Sequence, residues 1–324
     1  MTKFKVYISD YDYPDISIER KILEPIGAEV IGLKCKTGEH LAEQAADADA
    51  IIQQYAKIPR ATIEQLTNCR IIARYGIGVD ILDVAACRER GIIVTNVPDY
   101  CIDEVADHAI SFSFMLMRNL PFYDRKVHQG SYRWQDWRAP LPRFRGAVYG
   151  LIGFGRIAQN LARKLQVFGF RAVSYDPYVS AEFMATYGVE KVSCEELFQS
   201  STVINVLCPY TKETHHIAGR DTIALMRPDS YLVGVSRGKC IDNVALYEAL
   251  KDRRIVAAAL DDPEEEPMKT ENWEPVNPLF SLDNCFFTPH SAYATKESLE
   301  SCRHVAAENV KQVLTGGKPL NPVK

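Results

Sequence analysis

Residues 148–177 read VYGLIGFGRIAQNLARKLQVFGFRAVSYDP. An apolar run, Val148 to Ile152, meets Gly153-Phe154-Gly155-Arg156-Ile157-Ala158. A helical pattern follows through Ile157, Leu161, Leu165 and Phe168, stops at Gly169, and gives way to a second apolar strand ending at Asp176. This is one βαβ unit with a dinucleotide fingerprint at its first turn. Gly153 makes the tight strand-to-helix turn, and Gly155 lets the backbone approach a pyrophosphate because no Cβ intervenes. The helix N-terminus offers that anion unpaired N–H groups and partial positive charge. Ala158 stands where a third glycine is common, and the fingerprint admits it. A carboxylate at Asp176 accepts ribose hydroxyls and repels a 2′-phosphate, so the expected cofactor is NAD rather than NADP.

The rest of the chain bounds this reading. Its 324 residues allow one or two domains, and 47% apolar with 25% charged residues is an ordinary globular composition. The net charge of −4 and the lack of a basic block exclude nucleic acid as an expected partner. The first residues turn acidic within MTKFKVYISDYDYPD, which does not read as a signal peptide. The longest apolar stretch, Ile110–Met117, is interrupted by Ser111 and Ser113, so no membrane span is expected. The nine cysteines are scattered, odd in number, and form no C-x-x-C pair. They read as free, mostly buried thiols of a cytoplasmic protein, with no metal site, and Cys208 and Cys240 fall near the expected cofactor.

Strands alternate with helices along the first hundred residues. Strands are expected at Phe4–Ser9, Glu29–Leu33, Ala50–Gln54, Arg70–Arg74 and Ile92–Thr95, and helices at Glu19–Ile26, His40–Ala46, Ala61–Leu66 and Ile81–Arg90. That rhythm predicts a parallel sheet wrapped by helices. Asn96-Val97-Pro98 marks a boundary. A long helix is expected over Asp103–Asn119, ended or kinked by Pro121, then an irregular aromatic and Arg-rich connection through Tyr132–Phe144. Beyond Asp176, strands are expected at Val203–Leu207, Tyr231–Val235, Ile255–Leu260 and Cys285–Thr288, and helices at Arg220–Met226, Asn243–Lys251 and Lys296–Leu314.

Three further stretches follow the fingerprint in order: Val235-Ser236-Arg237-Gly238, Leu260-Asp261-Asp262-Pro263-Glu264-Glu265-Glu266-Pro267, and Thr288-Pro289-His290-Ser291-Ala292. With Arg74-Tyr75-Gly76-Ile77-Gly78-Val79-Asp80 and Asn96-Val97-Pro98 upstream, the chain resembles the D-isomer-specific 2-hydroxyacid dehydrogenases over nearly its whole length. Within them it is most similar to the bacterial branch related to phosphoglycerate dehydrogenases and C-terminal-binding-protein corepressors. The resemblance implies an α/β fold of two doubly wound parallel-sheet domains. A Rossmann-type cofactor domain, residues 101–293, would be inserted into a flavodoxin-like substrate domain, residues 1–100 plus 294–324. It further implies a homodimer through the cofactor domain.

The resemblance also implies roles. Arg237 would hold the substrate carboxylate and polarise the carbonyl, a task suited to its planar, always ionised fork. His290 would be the acid/base, and Glu266 would orient its ring and favour imidazolium. The run Glu264-Glu265-Glu266 leaves that last assignment open by a residue or two. Cofactor contacts are implied at Gly153, Gly155, Arg156, Ile157, Asp176, Cys208, Pro209, Thr214, Val235, Asp261 and His290. Tyr75, Gly76, Ile77 and Gly78 would form an anion nest for the substrate, with Tyr293 near it. No chemistry is assigned to His108, His215 or His216. Three functions fit: an NAD-dependent enzyme interconverting a 2-oxo acid and a D-2-hydroxy acid, an NAD(H)-sensing interaction protein of the corepressor type, or a formate- or phosphite-type dehydrogenase.

Overall fold

A computed structural model describes residues 3–35, 37–136, 141–264 and 273–323. The chain divides into two compact units, Met1–Cys101 with Ala294–Lys324, and Ile102–Tyr293.

The first unit is built on five parallel strands, β1 (Phe4–Ile8), β2 (Ala28–Gly32), β3 (Ala50–Gln53), β4 (Ile71–Arg74) and β5 (Ile93–Thr95), in the order β2-β1-β3-β4-β5. The central strands β3 and β4 are buried at every residue, which is why Ala50–Ile52 and Ile71–Ala73 read as apolar runs rather than alternating ones. One face is closed by Ile22 and Leu23 of the helix Ser17–Leu23 and by Cys302, Ala306, Val310 and Leu314 of the helix Lys296–Leu314. That last helix starts at a reciprocal cap: Thr295 Oγ1 accepts from the Ser298 N–H at 3.1 Å, and Ser298 Oγ accepts from the Thr295 N–H at 3.0 Å. An ion pair pins the two helices. Arg303 donates from Nε and Nη2 to the two oxygens of Glu19, both at 2.7 Å, and Glu19 is fully buried.

The second unit carries seven parallel strands, β6 (Val148–Ile152), β7 (Arg171–Tyr175), β8 (Val189–Lys191), β9 (Val203–Val206), β10 (Tyr231–Gly234), β11 (Ala257–Leu260) and β12 (Cys285–Phe287). Their order, β12-β11-β10-β9-β6-β7-β8, reverses direction at β6. A doubly wound sheet binds its ligand at such a reversal, outside the carboxyl ends of the strands. The two sheets are thus the flavodoxin-like and Rossmann-type arrangements of an α/β protein.

Two local features differ from the expectation. The long helix ends at Met117, Asn119 turns left-handed at φ 54°, and a second helix runs Leu120–His128. Pro121 sits in its first turn, where a missing N–H costs no helical bond. The short edge strand β8 and the helices Ala181–Ala185 and Cys194–Ser200 are additional elements, too brief to show a period in sequence. Ser113, which interrupts the apolar stretch, spends its hydroxyl on the Ala109 carbonyl and on Tyr149 Oη, both at 2.7 Å. No helix among the described residues is long and apolar enough to cross a membrane.

Removing one member of a buried ion pair strands the other charge, which costs about 3–5 kcal/mol. Glu19→Ala is therefore expected to lower the unfolding free energy by about that amount in urea titration. A loss within measurement error would show that the pair does not hold the terminal helix.

Candidate active site

At the end of β6, Gly153 adopts φ 89°, and a Cβ there would lie 2.9 Å from the Cys208 Cα. Both the conformation and the space demand glycine. Gly155 is exposed, and a Cβ on it would meet nothing within 4 Å. It begins the helix Arg156–Phe168 and, as a glycine, caps it with no side chain. At the end of β7, Asp176 Oδ2 accepts from the Phe154 N–H at 2.8 Å and Oδ1 from the Tyr178 N–H at 2.9 Å. The carboxylate is thereby fixed beside the turn, each oxygen keeping a lone pair for a further donor. An uncapped helix end, a glycine with free space before it and a fixed carboxylate suit a pyrophosphate and a ribose diol.

Three neighbouring strands supply the second cluster. Arg237 lies just past β10 in extended backbone, preceding a short 3₁₀ turn, Gly238–Cys240. A Cβ at Gly238 would lie 2.2 Å from the Pro263 backbone, so the segment after β11 packs directly on the arginine turn. Asp261, 2% exposed, begins that segment. Its backbone carbonyl accepts from the His290 N–H at 2.8 Å. Its carboxylate accepts from the N–H groups of Ser291 and Ala292, both at 2.9 Å, and from the Thr288 hydroxyl. His290 sits at φ 48°, a left-handed conformation unusual for a side-chain-bearing residue. The Tyr293 ring lies edge-on to the imidazole, centroids 5.9 Å apart.

His108 takes a part that the sequence reading left unassigned. Its Nε2 lies 3.0 Å from Thr288 Oγ1, whose one proton goes to Asp261, so the imidazole is the donor. Burial holds the His108 pKa below the usual range, consistent with a neutral ring protonated at Nε2. Among the acidic run, Glu264 Oε1 is 2.8 Å from His216 Nε2. Glu264 is thus occupied away from His290, while Glu265 and Glu266 lie outside the described residues. His215, His216 and Glu264 bring ligand-capable atoms within 4.8 Å of one another.

Several implied contacts change character. The Tyr75 side chain is 3% exposed and donates to Glu19 at 2.8 Å, so it packs in the core instead of reaching a ligand. The N–H groups of Tyr75 and Gly76 are taken by the carbonyls of Gln53 and Arg74, at 2.8 and 3.0 Å. Of the four residues, Ile77 and Gly78 keep their N–H groups outside these two backbone bonds. Thr214 donates to the Pro209 carbonyl at 2.7 Å and accepts from the Thr211 N–H at 2.7 Å, which shapes its own loop. Val235 and Cys208 are buried where β10 and β9 end, and Pro209 is exposed. All nine cysteines are free thiols, eight of them buried.

Fold and turn define an NAD-binding protein of two doubly wound units. Residues 110–292 match the NAD-binding domain of the D-isomer-specific 2-hydroxyacid dehydrogenases. The chain belongs to that family. It is 39% identical over 305 residues to the D-3-phosphoglycerate dehydrogenase of Methanocaldococcus jannaschii, covering 94% of this chain and 56% of that one. It thus spans little more than half the length of that relative. It is 33% identical over 286 residues to the glyoxylate reductase of Korarchaeum cryptofilum, covering 87% and 85% of the two chains. The D-lactate dehydrogenase from Aquifex aeolicus, solved with NAD and lactic acid, superposes with a TM-score of 0.87 at 28% identity over 96% of each chain.

If Asp176 selects against a 2′-phosphate, Asp176→Ala should weaken NADH binding about tenfold or more and NADPH binding much less. Fluorescence titration of both cofactors measures the ratio. An unchanged ratio would remove Asp176 from cofactor choice.

Proposed function

We propose that this protein interconverts a small 2-oxo acid and its D-2-hydroxy acid. NADH, when bound along Gly153–Arg156 and Asp176, supplies hydride to the carbonyl carbon. Arg237 grips the substrate carboxylate and draws charge toward the carbonyl oxygen. His290 gives its proton to that oxygen as it becomes an alkoxide and takes it back in the reverse direction. Glu266 is assigned to the second imidazole nitrogen, where a carboxylate favours the protonated ring. Ile77 and Gly78 are assigned N–H donation to the substrate carboxylate, and Tyr293 is assigned to the substrate side. Asp261, Cys208, Pro209, Val235 and Thr214 are assigned to the wall around the cofactor. The discontinuous domain plan, with residues 101–293 as the cofactor domain, belongs to the same proposal, as does a cytoplasmic location.

One observation carries this reading above all. A histidine at φ 48° is tied to the buried Asp261 at the edge of the same sheet that bears the dinucleotide turn. Dinucleotide binding alone requires no such histidine.

His290→Ala should cut turnover by about two to four orders of magnitude while NADH affinity holds. The assay is NADH oxidation against glyoxylate, hydroxypyruvate, pyruvate and phosphohydroxypyruvate. Near-native rates in the variant would remove His290 from the chemistry. A wild-type chain that binds NADH yet turns over none of these would favour the sensing function. We also propose a homodimer through the second unit, whose Leu120, Val127, Tyr132 and Trp134 are exposed at 55, 48, 91 and 65%. Gel filtration at micromolar concentration should give twice the monomer mass; a monomer would refute it.

A further inference from the structure

Two cysteines from different loops meet beneath the dinucleotide turn. Cys208 follows β9, Cys240 closes the 3₁₀ turn after Arg237, and their sulfurs lie 4.0 Å apart. They are 6 and 0% exposed. Each is built into a part of the site. The Cys208 backbone is the surface against which Gly153 packs, leaving no room for a Cβ. The Cys240 N–H donates to the Arg237 carbonyl at 2.9 Å, and the Cys240 carbonyl accepts from the Ala218 N–H at 3.1 Å.

The surroundings of the two sulfurs are unequal. The Cys208 S–H points at the Cys240 sulfur, the Ser236 hydroxyl donates toward it, and the Arg237 charge lies near. These hold Cys240 below the ordinary thiol range and keep the proton on Cys208. Cys69 and Cys302 are instead pushed up to about 12, chiefly by burial, as expected of inert structural thiols.

We propose that Cys208 and Cys240 form an oxidative modification site, at which a hydroperoxide yields a disulfide that deforms the Gly153 turn and the Arg237 loop together. The Cys240 thiolate attacks one peroxide oxygen: an S–O bond forms, the O–O bond breaks, and the departing hydroxide takes the Cys208 proton and leaves as water. The Cys208 thiolate then attacks the sulfenic sulfur: the S–S bond forms, the S–O bond breaks, and hydroxide leaves. Two thiol sulfurs are oxidised by two electrons and the peroxide is reduced. Closing 4.0 Å to the roughly 2.05 Å of a disulfide draws the two loops together. The dinucleotide turn cannot follow without losing its fit, because Gly153 already touches Cys208.

The functional half of this inference rests on the dinucleotide reading of the turn, whereas its first readout does not. The full chain is treated with hydrogen peroxide in slight excess, alkylated with iodoacetamide, and mapped by mass spectrometry. Linked Cys208 and Cys240 peptides are expected, cleared by dithiothreitol, with NADH affinity falling about tenfold or more in the oxidised state and returning on reduction. Cys240→Ala should give no linked peptide, and its NADH affinity, whatever its untreated value, should not change on peroxide treatment. The wild-type reduction cycle decides the matter even if that variant folds poorly. Both sulfurs alkylated after peroxide, or a linked protein that binds NADH undiminished, would overturn the proposal. A reduced chain that binds no NADH would overturn the dinucleotide reading instead, and the linked peptides would still decide whether the disulfide forms.

Discussion

A histidine does not hold φ near 48° by its own preference. For a side-chain-bearing residue the left-handed region costs about 1–2 kcal/mol. Here the cost is met by Asp261, whose backbone carbonyl takes the His290 N–H while its carboxylate gathers Thr288, Ser291 and Ala292. Each such bond contributes about 1 kcal/mol net, and bonds to a charged acceptor contribute more. Four of them outweigh the strain, so the loop backbone is held, and with it the Cα–Cβ bond from which the imidazole projects. The donor from behind, His108 through Thr288, keeps the hydroxyl proton aimed at Asp261. The backbone that carries the imidazole is therefore held by a residue that need not touch the substrate.

The sheet explains how groups so far apart in the chain come together. Every functional loop of the second unit follows a strand: Gly153 follows β6, Asp176 β7, Cys208 β9, Arg237 β10, Asp261 β11 and His290 β12. Because all the strands are parallel, all these loops emerge at one edge. Neighbouring loops then lock against each other. Gly238 gives the clearest case, since only a residue without Cβ lets the backbone of Pro263 lie against the arginine turn. That contact ties Arg237 to the same segment that Asp261 uses to hold His290.

What the sequence disclosed follows from the range of the interactions involved. The Gly153–Asp176 unit was legible because its determinants are local: two glycines, a helical period and a carboxylate at a fixed distance. The helices Asn243–Lys251 and Lys296–Leu314 were legible, the second as an approximate range, because their apolar period is local. The burial of Tyr75 was not legible, because it depends on Glu19 and on Arg303 from the far end of the chain. The His216–Glu264 pair was hidden for the same reason, although it occupies the first acid of the run. Asp261 was found only as a neighbour of the cofactor. Its larger part, shaping the loop at 288–292, cannot be read from one strand end alone.

The strain at His290 also bears on the choice between catalysis and sensing. A protein that merely reports NAD(H) needs the fingerprint, the helix end and Asp176, all of which sit at the ends of β6 and β7. It needs no left-handed histidine at β12, no buried carboxylate spending three acceptor positions on that loop, and no glycine shaped to receive Pro263 beside an arginine. Strain of this kind, which the surrounding bonds must offset, concentrates at sites where a group must be aimed before the ligand arrives. Pre-aimed proton donors serve a reaction whose charge develops at one atom, as at a carbonyl oxygen becoming an alkoxide. Binding could tolerate a histidine that found its place on contact; proton transfer at a fixed oxygen gains from one already there.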